Sequence, residues 1–224
     1  MEKQREQPRG PLSHLQVIEV GGLPATYCAA HFAALGADVV KVEPLKGDPL
    51  RGTPPFAQDI AGPDRSLTFI AANADKRSIV LDWEHNSADR SVLRDLIAHA
   101  DILIEATPPG QLDSIQLGQE LLLNDHPGLV TISLTPFGQT GPYKDYVGND
   151  PVIAAMSGLM ASQGDNNLSP VVPPCHIATQ IGGILGAFLG LCGLRHRRQT
   201  GYGQRIDVSL QEALTFANIQ AVAR

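Results

Sequence analysis

Cysteine is scarce in this chain. Cys28, Cys175 and Cys192 make an odd set with none of the short spacings of a metal site. That excludes a disulfide framework and points to thiols kept reduced in the cytoplasm. Charge is also thin: 18% of residues carry one and the balance is −6, which argues against a general nucleic-acid surface while leaving room for a local basic pocket. The apolar stretch from Ile181 to Leu194 is too short and too glycine-rich to span a bilayer, so no membrane partner is expected. The N-terminus, MEKQREQPRGP, lacks an apolar core and is no secretory signal. Internal repeats and low-complexity blocks are absent.

What is present is an ordinary globular composition, 43% hydrophobic over 224 residues, enough for one domain, or one and a fragment. Leu15–Val20 reads as a strand ending in Gly21-Gly22, and Pro24 opens a helix that Gly36 stops. Ala37–Val42 follows as a second strand, giving a βαβ unit whose glycines do not make G-x-G-x-x-G, so a dinucleotide fingerprint is missing. A proline-rich loop (43–64) precedes a short helix at 66–72. Strands are expected at 78–81, 101–105, 129–134 and 205–208. Between them lie an amphipathic helix capped by Ser87, a helix at 117–124, and one capped by Asp150 that runs to Met160 and ends in a turn near Gly164–Asn167. Arg195–Arg198 complements a helix C-terminus. Ser209 starts a last helix still running at Arg224. Alternating strands and helices predict an α/β fold, a Rossmann-like, mostly parallel sheet with helices on both faces. The expected organisation is a flexible tail at 1–14, a large domain at 15–208, and an exit helix at 209–224 leading toward a second domain.

The stretch Pro173–Leu194 organises the rest. A helix is expected from Ala178–Thr179, with Thr179 capping its first N–H groups. Gly182, Gly186 and Gly190 recur on one face, each costing about 1 kcal/mol against alanine. Such a stripe fits a helix buried in a tight core, or one wall of a reaction site, and it predicts surface left uncovered in the isolated chain.

Seven segments together resemble the family III CoA-transferases, the group of formyl-CoA transferase, carnitine CoA-transferase and alpha-methylacyl-CoA racemase. They are HFAALGADVVKVEP (31–44), GDPLRG (47–52), ADKRSIVLD (74–82), ADILIEATPPGQLD (100–113), SLTPFGQTGPYKD (133–145), GNDPVIAAMSGLM (148–160) and TGYGQRIDVSLQEAL (200–214). The resemblance implies the N-terminal, Rossmann-like portion of a longer enzyme that forms interlocked dimers. Its substrates would be coenzyme A as an acyl-CoA thioester and a carboxylic acid, with no metal and no nucleic acid. A site for CoA phosphates implies cations and backbone N–H groups beyond the carboxyl ends of the strands. Arg51, Lys76 and Arg77 are the cationic candidates, with Pro109 and Gly110 in one turn and Phe137 and Gly138 in another loop. Ala106 and Thr107 stand where the family has Asn-Phe, and Ser114 where arginine is common.

In the transferases of this group an aspartate before the glycine-rich helix attacks the thioester. The resemblance puts Thr179 at that position. The racemase branch uses a histidine in a Gly-His-Asp segment, which here reads Gly148-Asn149-Asp150. The implied protein is therefore a CoA-transferase domain or subunit whose aspartate comes from a homologous partner, in a homo-oligomer or with a longer homologous chain. The alternative is a non-catalytic CoA-binding or assembly module, or a truncated, inactive member.

Overall fold

The computed structural model describes residues 10–164 and 167–218. Strands β1 (Gln16–Gly21), β2 (Asp38–Glu43), β3 (Arg77–Val80), β4 (Ile102–Ala106), β5 (Val130–Thr135) and β6 (Arg205–Ser209) form one sheet in the order β3-β2-β1-β4-β5-β6. All five pairings are parallel, with Val17 opposite both Val39 and Ile102. Side chains alternate across such a sheet, and both faces of the central strands are apolar because both are covered. Val17, Val39, Ile102, Ile104, Ile132 and Leu134 serve one core. Ile18, Val20, Val42 and Leu103 serve the other.

The first face is covered by helices α1 (Leu23–Ala34) and α7 (Ile177–Thr200). The second is covered by α3 (Ser87–Ala98), α4 (Gln111–Ser114) and α5 (Gln119–Asp125), through Leu93, Ile97, Leu112 and Leu122. Helices α2 (Leu67–Ala72), α6 (Asp150–Met156) and α8 (Leu210–Ala217) complete the set. The α/β, Rossmann-like architecture expected from the sequence is the one observed.

The glycine stripe is covered by the chain itself, contrary to the surface expected to be open. A Cβ on Gly190 would sit 2.6 Å from Ile132 Cδ1, and one on Gly186 would sit 3.1 Å from Leu134 and 3.2 Å from Cys28 Sγ. On α7 the closest approach to another element's backbone is at Gly183, whose added Cβ would lie 3.0 Å from Cys28 N and 2.9 Å from Tyr27 Cβ. The missing side chains let α7 lie on α1 and β5. Exposed large apolar residues of α7 sit elsewhere on it, at Ile184, Phe188 and Leu191.

Several local expectations shift. Asn86, not Ser87, caps α3, because its side chain accepts from Ala88 N–H. Asn149, not Asp150, caps α6, and that helix stops at Met156, followed by a short 3-10 turn. The turn expected near 164–167 falls partly on residues 165 and 166, outside the described residues. Helix α7 begins at Ile177 and runs 24 residues, so it is long and apolar enough to cross a membrane by length and composition. Its glycine face is nevertheless committed to the sheet. Arg197 near its end pairs with Asp101 at 2.9 Å, tying α7 to the start of β4. Residues 10–14, within the expected tail, form a turn in which Leu12 N–H donates to Leu35 O at 3.0 Å. Helix α8 ends at Ala217 with Asn218 as its C-cap, where the sequence predicts a helix still running at Arg224; residues 1–9 and 219–224 lie outside the described residues.

Candidate functional site

The strand order reverses between β1 and β4, where connections leave in opposite directions and open a crevice at the carboxyl edge. Gly21, at φ 97°, lies there against Ala106, and an added Cβ would meet the Ala106 carbonyl at 2.9 Å. Gly110, at φ 79°, turns the chain from β4 into α4. Together with Thr107 and Pro108 it lines a cavity of about 300 Å³ that also includes Glu105, Gln119, Gln139 and Arg205. Pro109 belongs to the same turn. Phe137 and Gly138 follow β5. The Phe137 ring is buried and lies 6.2 Å from Tyr143 and 6.3 Å from Tyr146, and Gly138 closes on Asp207 and Ser209.

The three cationic candidates are not gathered in one place. Arg51 stands at the carboxyl end of β2, where Nε and Nη2 donate to the two Glu43 oxygens at 2.8 Å each. Its Nη1 reaches the exposed Asp64 at 2.6 Å, and its guanidinium stacks 3.9 Å from the Phe69 ring centre. These Arg51 hydrogen bonds hold the Glu43 carboxyl down at about 2. Lys76 is buried. Its Nζ donates to Glu19 Oε2 and to Thr26 O at 2.8 Å, and to Asn73 Oδ1 at 3.2 Å. Arg77 opens β3 opposite Val40 and reaches back to Asp38, the first residue of β2, at 2.6 Å. It therefore serves the amino side of the sheet.

Lys76 belongs to a buried ion cluster that the sequence reading did not assemble. Lys41 Nζ lies 2.5 Å from Glu19 Oε1, 2.6 Å from Asp48 Oδ2 and 2.8 Å from Thr26 Oγ1. Burial pushes the Glu19 pKa up, but the two lysines outweigh it and the net direction is down. For Lys76 burial prevails over Glu19 and lowers the pKa. The signal was available: Glu19 and Lys41 interrupt apolar strands at the period of the core residues Val17 and Val39.

Thr179 is the third residue of α7 and is buried, so it does not cap the helix with its own side chain. Asp150, from α6, performs that role. Its Oδ1 accepts from Thr179 N–H at 3.0 Å and from Thr179 Oγ1 at 2.8 Å, and its Oδ2 accepts from Ala178 N–H at 3.3 Å. The carboxylate neutralises the positive end of a long helix. His176 precedes the helix in the left-handed region, and Cys175 and His176 are both exposed. Among the described residues no group of three or more His, Cys, Asp or Glu could hold a metal.

Comparison with known proteins then gives this geometry its setting. The profile of CoA-transferase family III matches residues 12–223. A succinyl-CoA:(R)-benzylsuccinate CoA-transferase subunit of Thauera aromatica is 38% identical over 205 residues, covering 92% of this chain and 50% of the relative. The beta subunit of a succinyl-CoA–L-malate CoA-transferase of Chloroflexus aurantiacus is also 38% identical, covering 91% and 50%. A CaiB/BaiF family protein of Brucella suis superposes with a TM-score of 0.88 at 33% identity, over 96% of this chain and 58% of that one. The chain thus spans about half the length of the curated relatives it matches.

Proposed function

Because the chain belongs to CoA-transferase family III, we propose that it forms the large, CoA-binding domain of an enzyme moving CoA between an acyl-CoA thioester and a carboxylic acid. The observation that carries this reading is the match across residues 12–223, with the crevice-forming reversal of strand order between β1 and β4. Residues 15–208 are the large domain in this reading, and 209–224 lead toward a second one. The relatives named as subunits, the Chloroflexus aurantiacus alpha and beta chains among them, support work alongside a homologous chain, in a dimer or larger assembly. The three free thiols fit a reducing cytoplasm.

Within the site, Arg51 is the cation best placed for a CoA phosphate. Exchanging its exposed partner Asp64 for a phosphate oxygen would keep the bidentate bond to Glu43 intact. Lys76 supports the crevice from beneath, through Glu19 and Thr26. Gly110 N–H, in the turn that follows Pro109, and the loop at Phe137–Gly138 supply backbone donors. Arg77, directed at Asp38, contributes to sheet stability more than to the pocket.

Thr179 stands in the nucleophile position, and its hydroxyl is held by Asp150. Acyl transfer through an anhydride needs a carboxylate that can accept the acyl group and release CoA as thiolate, and a threonine ester does not exchange in that way. The carboxylate is therefore supplied by the partner chain. The same locked hydroxyl favours a second reading, a CoA-binding assembly subunit with no chemistry of its own.

The test is a native mass measurement of the chain alone and co-expressed with an intact homologous chain, with CoA transfer assayed on both. Transfer only in the mixed assembly supports the first reading. CoA uptake with no transfer in either sample supports the second.

A further inference from the structure

The crevice contains a buried carboxylate that the proposed reaction does not use. Glu105, next to last in β4, is 1% exposed on the face where Leu103 enters the apolar core. Burial raises its pKa, and no lysine or arginine pairs with it among the described residues. An uncompensated carboxylate is among the costliest groups to bury, so its hydrogen bonds are the reason it persists there. Its Oε2 accepts from both the backbone N–H and the hydroxyl of Thr107, at 2.7 and 2.6 Å. Its Oε1 accepts from the Ser133 hydroxyl, with Gln119 Nε2 and Gln139 Nε2 each 3.5 Å away. Gln139 Nε2 donates to Ser133 Oγ at 2.6 Å, and Gln139 N–H donates to the Asp207 carboxylate at 2.9 Å.

We propose that Glu105 is a positioning residue that fixes the turn at Thr107–Gly110 and the loop at Phe137–Gln139 relative to each other across the mouth of the cavity. One carboxylate binds the first segment directly with one oxygen, and the second segment through Ser133 with the other. The two segments leave neighbouring parallel strands, and neither carries a direct hydrogen bond to the other among the described contacts. Their spacing is set through Glu105. Asp207, which raises the Glu105 pKa through space, and Asp113, Glu120 and Arg205, which line the same cavity, are the other charged groups facing this network. The consequence for CoA rests on the proposed function, in which both segments contact the nucleotide.

The test uses the full chain and reads amide hydrogen exchange at Thr107 and Gln139 beside calorimetric titration with CoA. Glu105→Ala should accelerate exchange at both amides at least tenfold, while Glu105→Gln, able to accept from Thr107 and donate to Ser133, should restore most of the protection. Thr107→Val should weaken the turn alone and Ser133→Ala the loop alone, which keeps the test decisive if Glu105→Ala does not fold. CoA affinity should fall more than tenfold in Glu105→Ala and recover to within a few-fold in Glu105→Gln. Unchanged exchange at Gln139 in Glu105→Ala overturns the proposal, as does Ser133→Ala leaving the loop fully protected. A wild-type chain that takes up no CoA, alone or assembled, overturns the functional reading instead, and exchange alone then decides the role of Glu105.

Discussion

The carboxylate of Asp150 and the hydroxyl of Thr179 meet at 2.8 Å across 29 positions of sequence, joining the start of α6 to the first turn of α7. The contact answers two needs at once. It satisfies N–H groups at the start of a 24-residue helix, and it sets a negative charge at the helix's positive end. It would also put a carboxylate at position 179 beside that of Asp150.

Stability should report this directly. Asp150→Ala removes a cap and leaves two N–H groups without their acceptor, a loss of about 1–2 kcal/mol. Asp150→Asn, which still accepts through its amide oxygen, should lose less. Thr179→Asp should destabilise by about 1–3 kcal/mol by setting two carboxylates in contact, and adding Asp150→Asn should recover much of that. Denaturant titration of the three single variants and the pair measures each value; a Thr179→Asp chain as stable as the parent would show that the two side chains do not share one space.

Acid should loosen the loop that follows β2. Glu43 titrates at about 2 in the folded chain, against an ordinary value of 4.5, because Arg51 hydrogen-bonds both its oxygens. A lowered carboxyl pKa contributes stability that is complete above the unfolded value and is lost as pH falls from about 4.5 through 2. With Arg51 partly exposed, the contribution is on the order of 2 kcal/mol. Arg51→Ala should cost about 2–3 kcal/mol at pH 7 by leaving Glu43 buried without its cation, and noticeably less at pH 3. Thermal melts of both chains across that range test the sign; a penalty that grows as the pH falls contradicts it.

Packing at the glycine helix gives a sharper contrast. Gly183→Ala forces a methyl to within 3.0 Å of the α1 backbone at Cys28, which cannot move as a side-chain tip could, so a loss of about 2–3 kcal/mol is expected. Ile184→Ala, one residue on and exposed, should change stability by less than about 0.5 kcal/mol. Similar midpoints for the two variants would mean that α7 does not lie so close to α1.

The sheet was legible because its strands are apolar, β-branched runs separated by glycine, proline and capping residues, the mark of strands covered on both faces. Which side chain meets which was not. Lys76 and Arg77 are neighbours in sequence and both read as phosphate ligands, yet one is buried on Glu19 and the other turned to Asp38. Their fates depend on strand register, to which hydrophobic pattern is blind. Thr179 was expected to cap its own helix. The acceptor came instead from Asp150, because long-range hydrogen bonds leave no periodic trace. Glu105 is the partial exception: a charged residue inside an apolar strand is itself a signal of something buried and bonded.

Chemistry offers the last prediction. If Thr179 holds the nucleophile position, as proposed above, the chain alone should not exchange CoA between a thioester and a carboxylate. The reaction requires a carboxylate to take the acyl group from sulfur, forming a C–O bond as the C–S bond breaks and CoA leaves as thiolate. The returning thiolate must then displace the first acid. Thr179 offers a hydroxyl already committed to Asp150, and an ester formed there would be too stable to pass its acyl group on. Thr179→Asp combined with Asp150→Asn, assembled with a homologous chain that lacks its own nucleophile, should give a trappable acyl or CoA adduct on residue 179. Thr179→Asp alone should give less, since repulsion from Asp150 raises the pKa of the new carboxyl and displaces it. Mass spectrometry of the quenched enzyme identifies the modified residue. If the purified, unsubstituted chain transfers CoA with no homologous subunit, and Thr179→Val leaves the rate unchanged, the nucleophile lies elsewhere. Asp150, the nearest carboxylate to that helix start, would then be the first residue to replace.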